Sequence, residues 1–162
     1  MTVLLEVRDL KVDIPVRTAI GIGTKGHIHA LRGVSFDLAR GETLALVGES
    51  GSGKSTTARA ISRLARASGG TVRLNGTDFL GAGGSELFKL RSLVGMVFQD
   101  PYSSLNRRMR VGDIIAEPLI VHGFGDRRSR AARVAELLRH VGLEADVARR
   151  YPVAFSGGQR QR

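Results

Sequence analysis

Apolar positions change their period along this chain, and the changes divide it. Residues 3–7 and 11–16 read as two edge strands, and residues 30–39 resume a strand pattern up to a turn at Arg40-Gly41. Between them, residues 18–29 read as a loop with three glycines. Thr43-Leu44-Ala45-Leu46-Val47 is a short apolar run with a β-branched end, which predicts a buried parallel strand. Residues 57–67 place Ala58, Ile61, Leu64 and Ala65 at helical spacing, and Ser68-Gly69-Gly70 is a stop. Residues 71–74 followed by Asn75-Gly76 predict a hairpin. Ser85 is the expected cap of a short helix through Leu90. Residues 93–98 form a second apolar run, expected as a central strand. Beyond Pro101 the period is helical. Residues 111–120 and 129–141 carry it, with Val134, Leu137, Leu138 and Val141 on one face and Gly142 suited to the helix C′ position. The layout predicts a mixed α/β core over residues 1–100 and a helical subdomain over residues 101–162, with no internal repeat.

Candidate chemistry sits at a junction in this pattern. Gly48-Glu49-Ser50-Gly51-Ser52-Gly53-Lys54-Ser55 fits G-x-x-x-x-G-K-[ST], the phosphate-binding P-loop. Glycines allow positive φ and close backbone approach, so amide N–H groups can turn inward as an anion nest. Lys54 offers a mobile positive charge for the β- and γ-phosphates, and Ser55 a hydroxyl for Mg²⁺. A strand before the loop and a helix after it are the context the motif needs, and the helix dipole adds to the site.

Two further motifs follow in order. Phe155-Ser156-Gly157-Gly158-Gln159 resembles the signature of ATP-binding-cassette (ABC) ATPases, and Val97-Phe98-Gln99-Asp100-Pro101 resembles their Q-loop. Three motifs in the family's order are far more specific than any one. Gly48-Glu49-Ser50-Gly51, the run from Phe98 to Asn106, and Phe155 to Arg162 look like the ATPases of dipeptide and oligopeptide importers, with nickel importers closely similar. The resemblance covers nearly the whole chain. It implies a P-loop NTPase fold of the ABC type: an α/β core with antiparallel edge strands and a helical subdomain.

The resemblance also assigns roles. Gly48, Glu49, Ser50, Gly51, Ser52, Gly53, Lys54, Ser55 and Thr56 would bind ATP. Ser156, Gly157, Gly158 and Gln159 would contact the γ-phosphate held by a second cassette, identical or not. Ser55 and Gln99 would serve Mg²⁺, and Gln99 would also act at the attacking water. The helical subdomain would dock on transmembrane permease subunits, themselves served by a substrate-binding protein. The protein would thus lie on the cytoplasmic face of the membrane, peripheral through its partners, and drive peptide uptake by ATP hydrolysis.

The chain departs from that pattern in places. Members usually have Pro where this chain has Arg107, and often a polar or acidic pair where it has Val153-Ala154. They place an aromatic near the end of the second strand to stack on adenine. Here that region reads Val12-Asp13-Ile14-Pro15, and no Phe, Tyr or Trp occurs between Met1 and Val34. His27 and His29 are read as solvated loop residues rather than as its replacement, so weak discrimination between ATP and GTP is expected. After the signature the family continues with an apolar strand ending in Asp-Glu and then a switch His. No Asp-Glu pair occurs in these residues, and His122 and His140 precede the signature. The sequence reads as the first half of a cassette, incomplete at the C-terminus and not expected to turn over ATP alone. The alternatives are an inactive remnant that binds nucleotide weakly, or a DNA-repair-type ABC ATPase. The latter inserts a coiled coil or Cys-rich modules between its motifs.

Composition narrows the setting. The 162 residues include no Cys, which excludes a disulfide framework and a thiolate metal site. No apolar run approaches the ~20 residues of a membrane span. Glu6, Arg8 and Asp9 interrupt any signal-peptide pattern. The 25 basic against 15 acidic residues give +10. Much of this lies in Arg107, Arg108, Arg110, Arg127, Arg128, Arg130, Arg133, Arg139, Arg149 and Arg150. No aromatics interleave these positions as base-stacking platforms would, so they read as solvated helix faces, not as a nucleic-acid site.

Overall fold

In a computed structural model, which describes residues 2–17, 24–100 and 104–162, one long ribbon dominates the first half. β1 (Val3–Arg17) pairs antiparallel with β2 (Thr24–Ala39) along its length. The two short strands expected at residues 3–7 and 11–16 are therefore one strand. Asp9, at φ 47°, makes the irregularity between them, and its amide donates to Ser35 Oγ at 2.8 Å. A single bulge bends a strand without ending it. Residues 24–29, expected as loop, are paired strand, while the expectation for 18–23 lies outside the described residues.

β3 (Gly69–Leu74) adds to the other edge of β1 and turns through Asn75-Gly76 into β4 (Thr77–Asp78), giving the order β2-β1-β3-β4. Asn75 (φ 50°) and Gly76 (φ 78°) have the two positive φ values a type I′ turn demands. One face of this sheet is covered by α1 (Lys54–Ile61), α2 (Gly84–Arg91) and the segment around Phe79. Val7, Leu10, Val12, Leu31, Ala60, Val72 and Phe79 form its core.

α1 is shorter than the spacing predicted. It stops at Ile61 because Arg63 takes the left-handed conformation at φ 55°. The Arg63 amide donates to the Ala60 carbonyl and the Leu64 amide to the Arg59 carbonyl, the paired bonds of a Schellman end. A non-glycine residue at this position costs strain. Two bonds from the Arg63 guanidinium, to the Phe79 (3.0 Å) and Ala82 (2.6 Å) carbonyls, hold it there. α2 begins after Gly83, and Ser85 lies inside it, so Ser85 is not its cap.

The largest difference concerns the two apolar runs. Residues 43–47 and 94–98 form no strand, and Val47 and Val97 are 92% and 96% exposed. Parallel strands buried on both faces take their hydrogen bonds from distant parts of the sequence. Among the described residues no strand pairs with either run.

The chain divides into two compact units, residues 1–96 and 97–162. The second contains α3 (Val111–Val121), α4 (Arg127–His140), two short 3₁₀ turns and α5 (Gly157–Gln161). Asp126 and Ser129 form the capping box that starts α4. Gly142 (φ 71°) ends it as the spacing predicted, with the Leu143 amide donating to the Leu138 carbonyl. Val134, Leu138, Val147 and Phe155 are this unit's buried cluster.

Candidate phosphate-binding site

Residues 48–53 fold back on themselves immediately before α1. Gly51 and Gly53 sit at φ 82° and 95°, where a side chain would be strained. Gly53 is the N-cap of α1 and has no side chain to satisfy the first-turn amides, which stay free for an anion. The Ser52 amide donates to the Glu49 carbonyl at 3.2 Å and closes the turn. Packing restricts Gly53 and, more weakly, Gly48, whereas Gly51 has open space around it. A Cβ on Gly53 would stand 2.7 Å from Leu31 Cδ2, and one on Gly48 would stand 2.9 Å from Ser52 Oγ.

Lys54 fills the centre of this turn. Its ammonium donates to the Gly48 carbonyl at 2.8 Å and the Glu49 carbonyl at 2.6 Å, with Ser52 Oγ at 3.4 Å. These partners are neutral, so the full positive charge is presented inside the loop. Ser55 is exposed and Thr56 half-buried on the first turn of α1. The motif did not single out Thr57, although it anchors the loop. Its amide (2.7 Å) and its hydroxyl (3.0 Å) both donate to the Gly53 carbonyl, and it is buried. The only signal for it was a hydroxyl four residues after the cap glycine. Leu31, the other support, comes from a strand whose proximity no local pattern reveals.

The remaining candidates belong to the second unit and are described within it. Gln99 is exposed on backbone that is neither helix nor strand. Ser156 is the N-cap of α5. Its Oγ accepts from the Gln159 amide at 3.3 Å, and Gln159 Oε1 accepts from the Ser156 amide at 3.0 Å. This capping box is what S-x-x-Q encodes. Phe155, just before it, is buried, and Arg160 Nε donates to the Pro152 carbonyl at 2.9 Å. The signature turn is therefore fixed from both sides, leaving Ser156, Gly158 and Gln159 exposed and Gly157 half-buried.

The late arginines do not form one patch. Arg133 pairs with Glu136 and Arg150 with Asp146, each at 2.8 Å. Arg110, Arg127, Arg130 and Arg149 rim a cleft of about 680 Å³ floored by Ala116, Ile120 and Val134.

Comparison with known proteins identifies a family. The family model described as "ABC transporter" matches residues 31–162. The glutathione import ATP-binding protein GsiA of Escherichia coli (strain K12) is 50% identical over 159 residues, as is that of Shigella boydii serotype 4 (strain Sb227). Each match covers 98% of this chain, which spans about a quarter (26%) of those relatives' length. Among solved structures, the dimeric post-hydrolysis state of the ATP-binding cassette MJ0796 bound to ADP and Pi superposes with a TM-score of 0.81 at 27% identity. That match covers 97% of this chain and 65% of that one. The cbiO1 protein of Clostridium perfringens, part of the cbiONQ transporter complex, gives 0.73 at 25% identity, covering 99% and 59%.

Proposed function

The chain belongs to the ABC transporter family, and from that premise we propose that it is the nucleotide-binding part of an importer that takes up small peptides. One observation carries this reading. The Lys54 ammonium is held by loop carbonyls at 2.6 and 2.8 Å, inside a turn where Gly53 has neither the conformation nor the space for a side chain and Gly51 lacks the conformation. That cradle fits a polyphosphate, since it offers a helix N-terminus with no side-chain cap and a cation held only by neutral groups.

In this reading the amides of residues 48–53, together with Lys54, Ser55 and Thr56, hold the phosphates of ATP. The Ser55 hydroxyl and the Gln99 amide oxygen are hard oxygen donors of the kind Mg²⁺ takes. ATP, when bound, supplies the free energy of its terminal phosphoanhydride. Ser156, Gly157, Gly158 and Gln159 face a second cassette and complete its site, as the dimeric MJ0796 cassette and the signature resemblance suggest. The helical unit meets transmembrane permease subunits, which keep the protein at the cytoplasmic face. No helix among the described residues is long and apolar enough to cross a membrane. The glutathione importers at 50% identity support a small peptide as cargo.

Calorimetry tests the core of this. Lys54→Ala should weaken Mg-ATP at least about tenfold and leave adenosine unchanged, because a lost charge–phosphate contact is worth more than ~1.4 kcal/mol. Equal ATP affinity in the variant would refute it.

A further inference from the structure

Four of the late arginines share the cleft between α3 and α4 without a counter-charge. Arg110 comes from the start of α3, Arg149 from the 3₁₀ turn Ala145–Arg149, and Arg127 and Arg130 from the start of α4. A close contact brings the first two together. The Val111 amide donates to the Arg150 carbonyl at 2.9 Å, and a Cβ on Gly112 would stand 2.9 Å from the Ala148 carbonyl oxygen.

Guanidinium groups stay charged at any physiological pH, so these four repel one another. Among the described residues, none of the four forms an ion pair. Asp113 is the one acid in the described lining, and the Asp126 carboxylate is taken up in capping α4 through Ser129. The helix dipoles add to the excess. Arg110 is the N-cap of α3, and α4 opens on Arg127 and Arg128 with no acid in its first turn. Cations are unfavourable at helix N-termini, so this charge costs the fold stability and calls for an anion.

Apolar surface continues from the cleft. Ile120 on its floor is 55% exposed, and Val121 and Phe124 beyond it are 57% and 47% exposed. Gly123 (φ 67°) and Gly125 (φ 47°) turn the chain there, and every residue from Ile120 to Ser129 is exposed. A small inorganic anion would leave those side chains wet. An acidic peptide seated in the cleft would still miss Val121 and Phe124, which do not line it. A bilayer interface takes both, since its headgroups match arginines and the boundary beneath them accepts exposed apolar side chains.

We infer that the α3–α4 corner binds anionic phospholipid, with a headgroup phosphate in the arginine cleft and Val121 and Phe124 in the interface beneath it. The contact is the chain's own. It needs neither nucleotide nor a permease subunit, so it stands apart from the reading of the phosphate loop.

The experiment is co-sedimentation of the chain with vesicles of phosphatidylcholine, alone or in equal parts with phosphatidylglycerol. The mixed vesicles should hold the wild type at least roughly tenfold more tightly. Arg127→Ala/Arg130→Ala should weaken that binding roughly thirtyfold. Its melting temperature should not fall, because the charges removed oppose the α4 dipole. Arg66→Ala/Arg91→Ala removes the same charge from exposed positions of the first unit and should cost less than about threefold. Phe124→Trp gives the chain its only tryptophan, whose emission should shift to the blue with mixed vesicles and not with inorganic phosphate. Equal binding to both kinds of vesicle, equal losses in the two double variants, or an unshifted tryptophan would overturn the lipid site. A glutamate-rich peptide that binds where mixed vesicles do not would overturn it in favour of a protein partner.

Discussion

Leu31 on β2 and Gly53 in the phosphate loop are packed so closely that a Cβ on the glycine would stand 2.7 Å from the leucine Cδ2. The Ala30 carbonyl oxygen would be only 3.1 Å away, and Gly53 is at φ 95°. The contact ties the loop to the sheet and fixes how far the nest lies from the ribbon.

Gly53→Ala meets both obstacles at once, a left-handed φ and an occupied space. The expected destabilisation is about 2 kcal/mol or more, read as a lower urea midpoint at unchanged slope. Gly51→Ala shares the φ problem but meets nothing within 4 Å, so it should cost about half as much. Equal losses at the two positions would show that packing against Leu31 contributes nothing.

Exposure of the apolar runs predicts an unusual contrast. Phe79, 1% exposed, is central to the first core, and Phe79→Ala should cost about 3–5 kcal/mol. Val97, a valine in a run that reads as buried, is 96% exposed, and Val97→Ala should lie within about 0.5 kcal/mol of the parent. Denaturant melts of the two variants check this, and a large loss at Val97 would contradict its exposed position.

Acid should weaken the ribbon through Asp37. Arg8 grips this carboxylate with its two terminal guanidinium nitrogens, at 2.6 and 2.8 Å, and that hydrogen bonding holds the Asp37 pKa below the usual carboxylate range. A folded pKa below the unfolded one means the contribution is fully present above about pH 4 and is lost as pH falls through the lowered value. Asp13, lowered chiefly by its bond to His29, and Asp126, lowered by Ser129, act in the same direction. Thermal melts should fall with acid below about pH 4, and Asp37→Asn should flatten part of that slope. An unchanged slope in the variant would remove the pair from this account.

Hydrolysis by these 162 residues alone is expected near background. In the proposed reading the loop and Lys54 bind phosphate charge, but activating water calls for a general base. Glu49 sits within the loop itself, and no Asp-Glu pair occurs in these 162 residues. A transition-state group of this kind typically contributes ~10²-fold or more. Steady phosphate release from contaminant-free protein, abolished by Lys54→Ala, would refute this.

What the sequence determined by itself is what depends on a few neighbouring residues. Gly51 and Gly53 around Lys54, the I′ turn at Asn75-Gly76, the S-x-x-Q box at Ser156 and the Gly142 helix end are all complete within about six positions. Each requires a particular φ or one short-range bond, so residue type alone reveals it. Pairing between distant segments had no such signature. Only the tertiary structure joined residues 3–17 into one strand and held Arg63 left-handed through the Phe79 and Ala82 carbonyls. It also left residues 43–47 without strand partners. The faces of the ribbon depended on it most. Period-2 alternation places His29 with Leu31, but the bulge at Ala30 sends His29 to the other face and Ile28 to the face of Leu31. A single extra residue reverses every side chain beyond it, and whether a strand carries one is decided by its partner.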